Sequence, residues 1–236
     1  MKISIVIPTI GKRNLIPTIN SLNNNSIKPE EIIIVFPNHE SNNLVELKSI
    51  NNVKIIKSKF KGQVKQRIEG FKYVKNDIVV QLDDDIILKH DCLERLINVL
   101  NNNGDCAVSP NLFDINKKKS IYNRNQGLKR KIFNLISHGK VNISHGIITN
   151  SGFESYPILN ENNQGIISTD WLVGGCVMHL KKNLIMKDYF EFQGKAFCED
   201  LYHSLLLKKN GIELFIDSSA IAYLNIEKES MFSYFY

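Results

Sequence analysis

Four short runs of isoleucine, valine and leucine alternate with stretches of helical periodicity in the first 100 residues. Each run is closed by a proline or by polar residues, as expected for a strand that is buried on both faces. The runs lie at residues 3–7, 31–36, 53–56 and 77–82. Because parallel strands need a long crossover connection, usually a helix, this alternation predicts an α/β fold with a mostly parallel central sheet flanked by helices.

The spacing of apolar residues predicts where the helices lie. It places them at about 15–22, at 62–71, where Gly62 opens the helix, and at 92–100. A fourth helix is predicted from Glu199 to Lys209, where Asn210-Gly211 ends it, and one more strand follows at 213–216. Residues from about 111 to 168 show few clear periods, so we expect a long, partly mobile segment there that serves as a lid or an acceptor platform.

Three consecutive carboxylates, Asp83-Asp84-Asp85, follow the fourth predicted strand directly. Side by side they repel one another unless a divalent cation sits among them, and carboxylate oxygens suit Mg²⁺ or Mn²⁺. Such a cation could bridge the phosphates of a nucleotide diphosphate and stabilise it as a leaving group. The alternative is a solvated turn with helix-capping aspartates. The position after a strongly apolar strand favours the metal site, because ligands of parallel sheets bind at the carboxyl ends of the strands.

A second acidic pair, Glu199-Asp200, opens the fourth predicted helix. Acidic residues in a first helical turn are ordinary partners of the helix dipole. A carboxylate mounted there could equally act as a general base that deprotonates an acceptor hydroxyl. The residues alone leave both interpretations open.

The net charge of +6 is modest, but basic residues cluster at 117–119 and 129–131. We expect a solvated loop, or else contact with anionic lipid or a phosphate-bearing substrate. No nucleic-acid-binding motif accompanies these clusters, so we expect no nucleic acid partner.

No stretch approaches the roughly 18 apolar residues of a membrane span. The four cysteines form no CxxC pair, and no signal-peptide cleavage site follows the first strand, so we expect a cytoplasmic protein that can contact the inner face of the cell membrane.

Six segments stand in a characteristic order: ISIVIPT, EIIIV, Gly62 with Gln66-Arg67, QLDDDI, WLVGGCVMHLKK and CEDLYHSLLLKKNG. In this order they resemble an inverting glycosyltransferase of family 2 with a GT-A, Rossmann-like fold. The resemblance covers about residues 1–110 and 168–217. It implies a single domain over residues 1–236, with a nucleotide-sugar-binding half at 1–110 and an acceptor-binding, catalytic-base half at 111–236.

The resemblance also implies roles by position. Asp83 and Asp85 match the metal-binding positions of the family's DxD element, with Mn²⁺ or Mg²⁺ as the cofactor, and Asp200 matches the catalytic base with Glu199 beside it. The positions implied for the donor and the sugar pocket are Pro8, Thr9, Arg13, Asn38, Gly62, Gln66, Arg67, Asp83, Asp84, Trp171, Gly174 and Gly175.

The sequence departs from the family pattern at two places. The aspartate that commonly follows the second strand is absent, and Asn38 or Glu40 stands nearest to its position. The histidine that often completes the metal site near the C-terminus is also absent, with Asn225 as the nearest polar substitute. These departures concern recognition of the nucleotide and the third metal ligand.

The resemblance implies transfer of a hexosyl or N-acetylhexosaminyl group from a nucleotide-diphosphate sugar, expected to be a UDP-sugar, to a hydroxyl of a growing or lipid-linked surface glycan. One alternative is a catalytically degenerate sugar-nucleotide-binding or scaffold protein. Another is a sugar-phosphate nucleotidylyltransferase. The latter should carry a glycine-rich loop after its first strand, but the loop 8–13 contains one glycine.

Overall fold

The computed structural model describes residues 2–38, 44–123, 127–140, 143, 145–149, 152–159, 165–189 and 198–224. Within these ranges the strands are β1 (Ile3–Pro8), β2 (Glu31–Pro37), β3 (Val53–Ser58), β4 (Ile78–Leu82), β5 (Ile86–Leu88), β6 (Cys106–Asp114), β7 (Lys119–Ser120), β8 (Ile166–Ser168), β9 (Cys176–Leu180) and β10 (Glu213–Leu224). The α-helices are α1 (Ile16–Asn23), α2 (Leu44–Lys48), α3 (Gln63–Phe71), α4 (Cys92–Asn103), α5 (Leu128–His138) and α6 (Glu199–Lys209).

All ten strands belong to one mixed, largely parallel sheet, in the order β3-β2-β1-β4-β9-β6-β10-β5, with β7 beside β6 and β8 beside β10. Strands β1 to β4 pair in parallel, and β6 pairs in parallel with β10. Strand β9 is inserted antiparallel between β4 and β6. Because β9 runs in the opposite direction, its first residues lie beside the last residues of β4, where the three aspartates follow.

Helices cover both faces of the sheet. Successive residues of β2 face opposite sides: Ile32 and Ile34 pack in the larger core with α1 and α4, whereas Ile33 and Val35 pack with Phe71 of α3. Every one of these strand residues is fully buried. The predicted α/β architecture with a mostly parallel sheet is therefore confirmed.

Helix α3 packs so closely on the sheet that Gly70 has no room for a side chain. An added Cβ would lie 2.5 Å from Cγ1 of Val6 and 2.9 Å from Cγ2 of Val35. We expect Gly70→Ala to lower the free energy of unfolding by about 1–2 kcal/mol, because overpacking outweighs the better helix propensity of alanine. Urea denaturation tests this. Gly165→Ala is the control, since its Cβ would meet nothing within 4 Å; equal midpoints for the two variants would contradict the packing argument.

The prediction of an irregular segment from about 111 to 168 is wrong in part. Strand β6 extends to Asp114, and α5 occupies 128–138. The basic cluster at 129–131 therefore lies on a helix and not in a loop, whereas Lys117 and Lys118 lie in the turn before β7. Strand β6 escaped prediction because Pro110 and Asn111 are unfavourable in strands. Three consecutive basic residues concealed the helical period of α5.

None of the helices in the described part of the chain is both long and apolar enough to cross a bilayer.

Candidate active site

The acidic run and the turn before β9 meet at one edge of the sheet. Leu82 at the end of β4 pairs with Cys176 at the start of β9. The next residue, Asp83, donates its backbone N–H to the carbonyl oxygen of Gly175 at 2.8 Å. The acidic run and the small-residue turn therefore lie side by side.

Asp84 and Asp85 are joined to the loop that follows β1. The hydroxyl of Thr9 donates to Oδ2 of Asp84 at 2.5 Å. The guanidinium of Arg13 pairs with Asp85 and lies 3.6 Å from Oδ1 of Asp84. Burial raises the pKa of Asp85, although Arg13 opposes this shift. The structure thus brings Thr9 and Arg13 to the acidic run, while their contact with a nucleotide stays a prediction.

Asp83 faces α3, which supplies a hydrogen-bond donor and a cation to its carboxylate. Its Oδ1 accepts a hydrogen bond from Nε2 of Gln63 at 2.6 Å and lies 3.4 Å from Nη2 of Arg67. Burial raises the pKa of Asp83 to about 7, with further increases from Glu199, Asp85 and Asp84, while Arg67 lowers it. Additional positive charge would stabilise the ionised form of such a carboxylate, and carboxylates with strongly shifted pKa values are common at functional sites.

Arg67 lies between the two acidic groups of the site. Its side chain is 3% exposed, and Nη1 is 3.5 Å from Oε1 of Glu199 on α6. Burial lowers the pKa of Arg67, but the charges of Glu199 and Asp83 more than offset this effect, so the guanidinium stays ionised. Sequence reasoning missed this link. The spacing of Gln63 and Arg67 signals a shared helix face, but nothing in the sequence relates Arg67 to Glu199.

Asp200 stands in the first turn of α6. Its Oδ1 accepts the backbone N–H of Leu201 at 2.9 Å. Burial raises the pKa of Asp200, the Leu201 N–H partly opposes this, and the charge of Glu199 adds to the increase. A carboxylate with a raised pKa is a better proton acceptor, which suits a general base.

The turn at Gly174 and Gly175 separates Asp200 from Asp83. A Cβ at Gly174 would lie 3.4 Å from Cβ of Asp200, and a Cβ at Gly175 would lie 3.4 Å from Oδ2 of Asp83. The absence of side chains therefore lets the two acidic groups approach neighbouring residues of the same turn.

Three other predicted residues lie beneath the site. The amide of Gln66 is buried and donates to the carbonyl oxygens of Thr9 and Val35 at 2.9 and 2.7 Å, which fixes the ends of β1 and β2. Gly62 precedes α3 with φ of 149°, a conformation that favours glycine.

Trp171 is buried. Its Nε1 donates a hydrogen bond to the carbonyl oxygen of Ser155 at 2.9 Å, and its ring packs edge-on against Tyr156. Direct contact of Gln66, Gly62 and Trp171 with a ligand stays a prediction.

The remaining predictions concern the edges of the site. Pro8 is buried at the end of β1, and Asn38 is exposed after β2. Glu40 and Asn225 lie outside the described residues, so the proposed replacements for the missing aspartate and histidine stay predictions.

The three aspartates fit a divalent cation by their donor chemistry, because they offer only carboxylate oxygens. Among the described residues, no three histidine, cysteine, aspartate or glutamate side chains converge so as to hold a metal ion by themselves. A cation at Asp83 and Asp85 therefore needs further oxygens, and the phosphates of a nucleotide supply oxygens of the same kind.

Known proteins resemble this chain in sequence and in fold. A dolichol-phosphate mannosyltransferase of Pyrococcus furiosus is 31% identical over 114 residues, which cover 46% of this chain and 32% of that protein. A crystal structure of GalNAc-T7 with UDP, GalNAc and Mn²⁺ superposes with a TM-score of 0.73 at 15% identity, over 97% of this chain and 44% of that one. Residues 1–349 of Staphylococcus aureus TarS give a TM-score of 0.61 at 14% identity, over 95% of this chain and 60% of that one.

The chain spans about a third of the mannosyltransferase and less than two thirds of either solved chain. The two structural matches show a GT-A fold. A model of the family described as "Glycosyl transferase family 2" matches residues 4–158, more than half of the chain and including the acidic run, whereas Asp200 lies beyond the matched range. The chain belongs to glycosyl transferase family 2.

Proposed function

We propose that this protein transfers a hexosyl or N-acetylhexosaminyl group, with inversion, from a nucleotide-diphosphate sugar to a hydroxyl of a glycan. The donor is a UDP-sugar. The acceptor is a growing surface glycan, free or lipid-linked, which brings the protein to the inner face of the cell membrane from the cytoplasm. Residues 1–110 bind the donor, and residues 111–236 bind the acceptor and carry the base.

One observation carries this proposal: two acidic groups of different character flank the same glycine turn. Asp83 lies on the side of α3 and the loop after β1, and Asp200 lies on the side of α6. Displacement with inversion needs charge stabilisation at the leaving group and a proton acceptor at the opposite side of the reacting carbon. In this proposal the sugar lies at this turn, where neither glycine carries a side chain.

The side chains divide the chemistry between them. Asp200 accepts the proton of the acceptor hydroxyl, whose oxygen attacks the anomeric carbon as the bond to the diphosphate breaks. Arg13, at the edge of the acidic run, offers positive charge near the departing phosphates. Arg67 pairs with both Glu199 and Asp83, and it thereby fixes the position of α6, which carries Asp200, relative to the acidic run.

Asp83 and Asp85 are the residues that would hold Mn²⁺ or Mg²⁺. When bound, such an ion supplies positive charge to the phosphate oxygens of the leaving group. The crystal structure of the similar GalNAc-T7 contains UDP and Mn²⁺ together, which supports a divalent metal here.

Calorimetric titration with UDP, with and without Mn²⁺, tests the donor side. We expect UDP to bind at least roughly tenfold more tightly with Mn²⁺, a difference of about 1.4 kcal/mol. Asp85→Asn should remove most of this difference because it withdraws one carboxylate from the ion. Asp105→Asn is the control, since Asp105 pairs with Lys182 at the surface away from the site.

Two results would favour the alternatives. UDP binding that responds neither to Mn²⁺ nor to Asp85→Asn, without sugar transfer, would indicate a degenerate sugar-nucleotide-binding protein. Release of pyrophosphate from a nucleoside triphosphate and a sugar phosphate would indicate a nucleotidylyltransferase. A screen of nucleotide sugars for thermal stabilisation then identifies the donor, because a ligand that binds only the folded state raises its stability.

A further inference from the structure

Helix α5 carries its apolar side chains on the outside of the protein. Leu128, Ile132, Leu135 and Ile136 are 74, 51, 52 and 81% exposed. The only buried residue of this helix is a polar one, Asn134. A helix of a water-soluble domain normally turns its apolar side toward the core, so this arrangement is inverted.

The four apolar residues form one continuous stripe. They stand at positions i, i+4, i+7 and i+8, which share a face of an α-helix. With about 100° between successive residues, Lys129 and Lys131 fall on opposite sides of this stripe. Both lysines are exposed. An apolar strip bordered by long basic side chains is the pattern of a helix that lies in the interface of a membrane.

The surrounding sequence is strongly basic. From residue 115 to residue 153 there are eight lysines and arginines and no aspartate or glutamate. Because the whole chain has a net charge of +6, the remainder carries two more acidic than basic residues. A surface of this charge is attracted to anionic lipid, and two copies of it would repel each other.

A different side of α5 contacts the domain. Phe133 packs edge-on against Phe153 with 5.6 Å between ring centroids. Phe153 lies two residues before Ser155, whose carbonyl oxygen accepts the indole N–H of Trp171. The helix is thus attached to the part of the protein that supports the glycine turn.

We propose that the exposed stripe of α5, formed by Leu128, Ile132, Leu135 and Ile136 and bordered by Lys129 and Lys131, docks on the surface of an anionic lipid bilayer. The apolar side chains enter the boundary between headgroups and acyl chains, while the lysines extend to the phosphates. This inference deepens the membrane contact of the proposed function. It places the acceptor-binding half against the lipid surface, where a lipid-linked glycan is presented.

Co-sedimentation of the full chain with vesicles tests the docking without any sugar transfer. The vesicles contain phosphatidylcholine alone or with about 30% phosphatidylglycerol. We expect binding to the anionic vesicles that weakens with salt. Two double variants should each reduce this binding by roughly tenfold or more. Ile132→Gln/Ile136→Gln removes apolar contact, and Lys129→Gln/Lys131→Gln removes positive charge.

The controls replace one exposed apolar residue and two exposed lysines elsewhere on the surface. Met186→Gln alters an apolar residue that is 45% exposed, and Lys72→Gln/Lys75→Gln removes two exposed lysines. Both should bind vesicles as the wild type does, and all variants should melt at the wild-type temperature.

The proposal is overturned if the wild type does not bind anionic vesicles or if the controls lose as much binding as the α5 variants. It is also overturned if the wild type is a dimer that the isoleucine variant dissociates while vesicles do not bind. UDP titration of the α5 variants separates this failure from a failure of the proposed function.

Discussion

Turnover of the Asp200→Asn variant is expected to fall by roughly 10²–10⁴-fold, the usual contribution of a positioned general base, while donor binding changes little. The asparagine side chain keeps the shape of the aspartate, and its oxygen can still accept the Leu201 N–H that Oδ1 of Asp200 accepts now. The start of α6 is therefore preserved, and only the ability to take a proton is lost.

Measurement of kcat and of UDP binding on the same preparation separates these two effects. Asp105→Asn makes the same chemical change at an exposed carboxylate and should leave both quantities unchanged. Because burial raises the pKa of Asp200, the acidic limb of the wild-type pH–rate profile should lie above the ordinary pKa of an aspartate, and activity should fall as the pH drops through it. Retained turnover in Asp200→Asn would exclude Asp200 as the base and would direct attention to Glu199.

The second large effect concerns stability. Arg67→Met is expected to lower the free energy of unfolding by about 3–5 kcal/mol, because it leaves Asp83 and Glu199 without their shared cation in a buried environment. This is a large part of the roughly 5–15 kcal/mol that stabilises a typical domain. Methionine has nearly the same length as the aliphatic part of arginine, so the loss arises from charge more than from a cavity.

Urea denaturation of Arg67→Met and Arg95→Met compares a buried pair with an exposed one. Arg95 pairs with Asp91 at 2.8 Å, but its side chain is 41% exposed, so its loss should cost no more than about 1 kcal/mol. Combining Arg67→Met with Glu199→Gln should restore part of the lost stability, since it removes one of the uncompensated charges. Equal midpoints for the two single variants would show that water reaches the Arg67 network and screens it.

Much of the first half of the fold was predictable from the sequence. The strands β1, β2 and β4 are mostly apolar runs that are followed or closed by a proline or an aspartate, and α4 has a clear apolar period. These patterns depend on residues that are near one another in the chain. The position of the acidic run followed from them, because it needs only the end of β4.

The other elements depend on contacts that the sequence does not encode locally. Strand β5 has three residues and exists because β10 pairs with it. The apolar period of α5 was concealed by three consecutive basic residues, and such a period does not reveal that this face turns to solvent and not to the core. The contact of Arg67 with Glu199 joins positions that are far apart in the chain and meet only when α3 and α6 have both packed on the sheet. The pattern at residues 171–178 indicated a turn, but not that β9 would enter the sheet between β4 and β6.

The insertion of β9 also determines when this protein can become complete during its synthesis. Leu82 and Cys176 pair directly, although 94 positions separate them. At translation rates of roughly 5–20 residues per second, β4 waits about 5–20 s on the ribosome before its neighbour has even been made. Over that interval the first four strands can assemble with α1, α3 and α4, but one of their flanks remains open to other nascent chains. The edge of β4 therefore stays unpaired until β9 has been made, and Asp83 meets its partner Gly175 only after that point of synthesis.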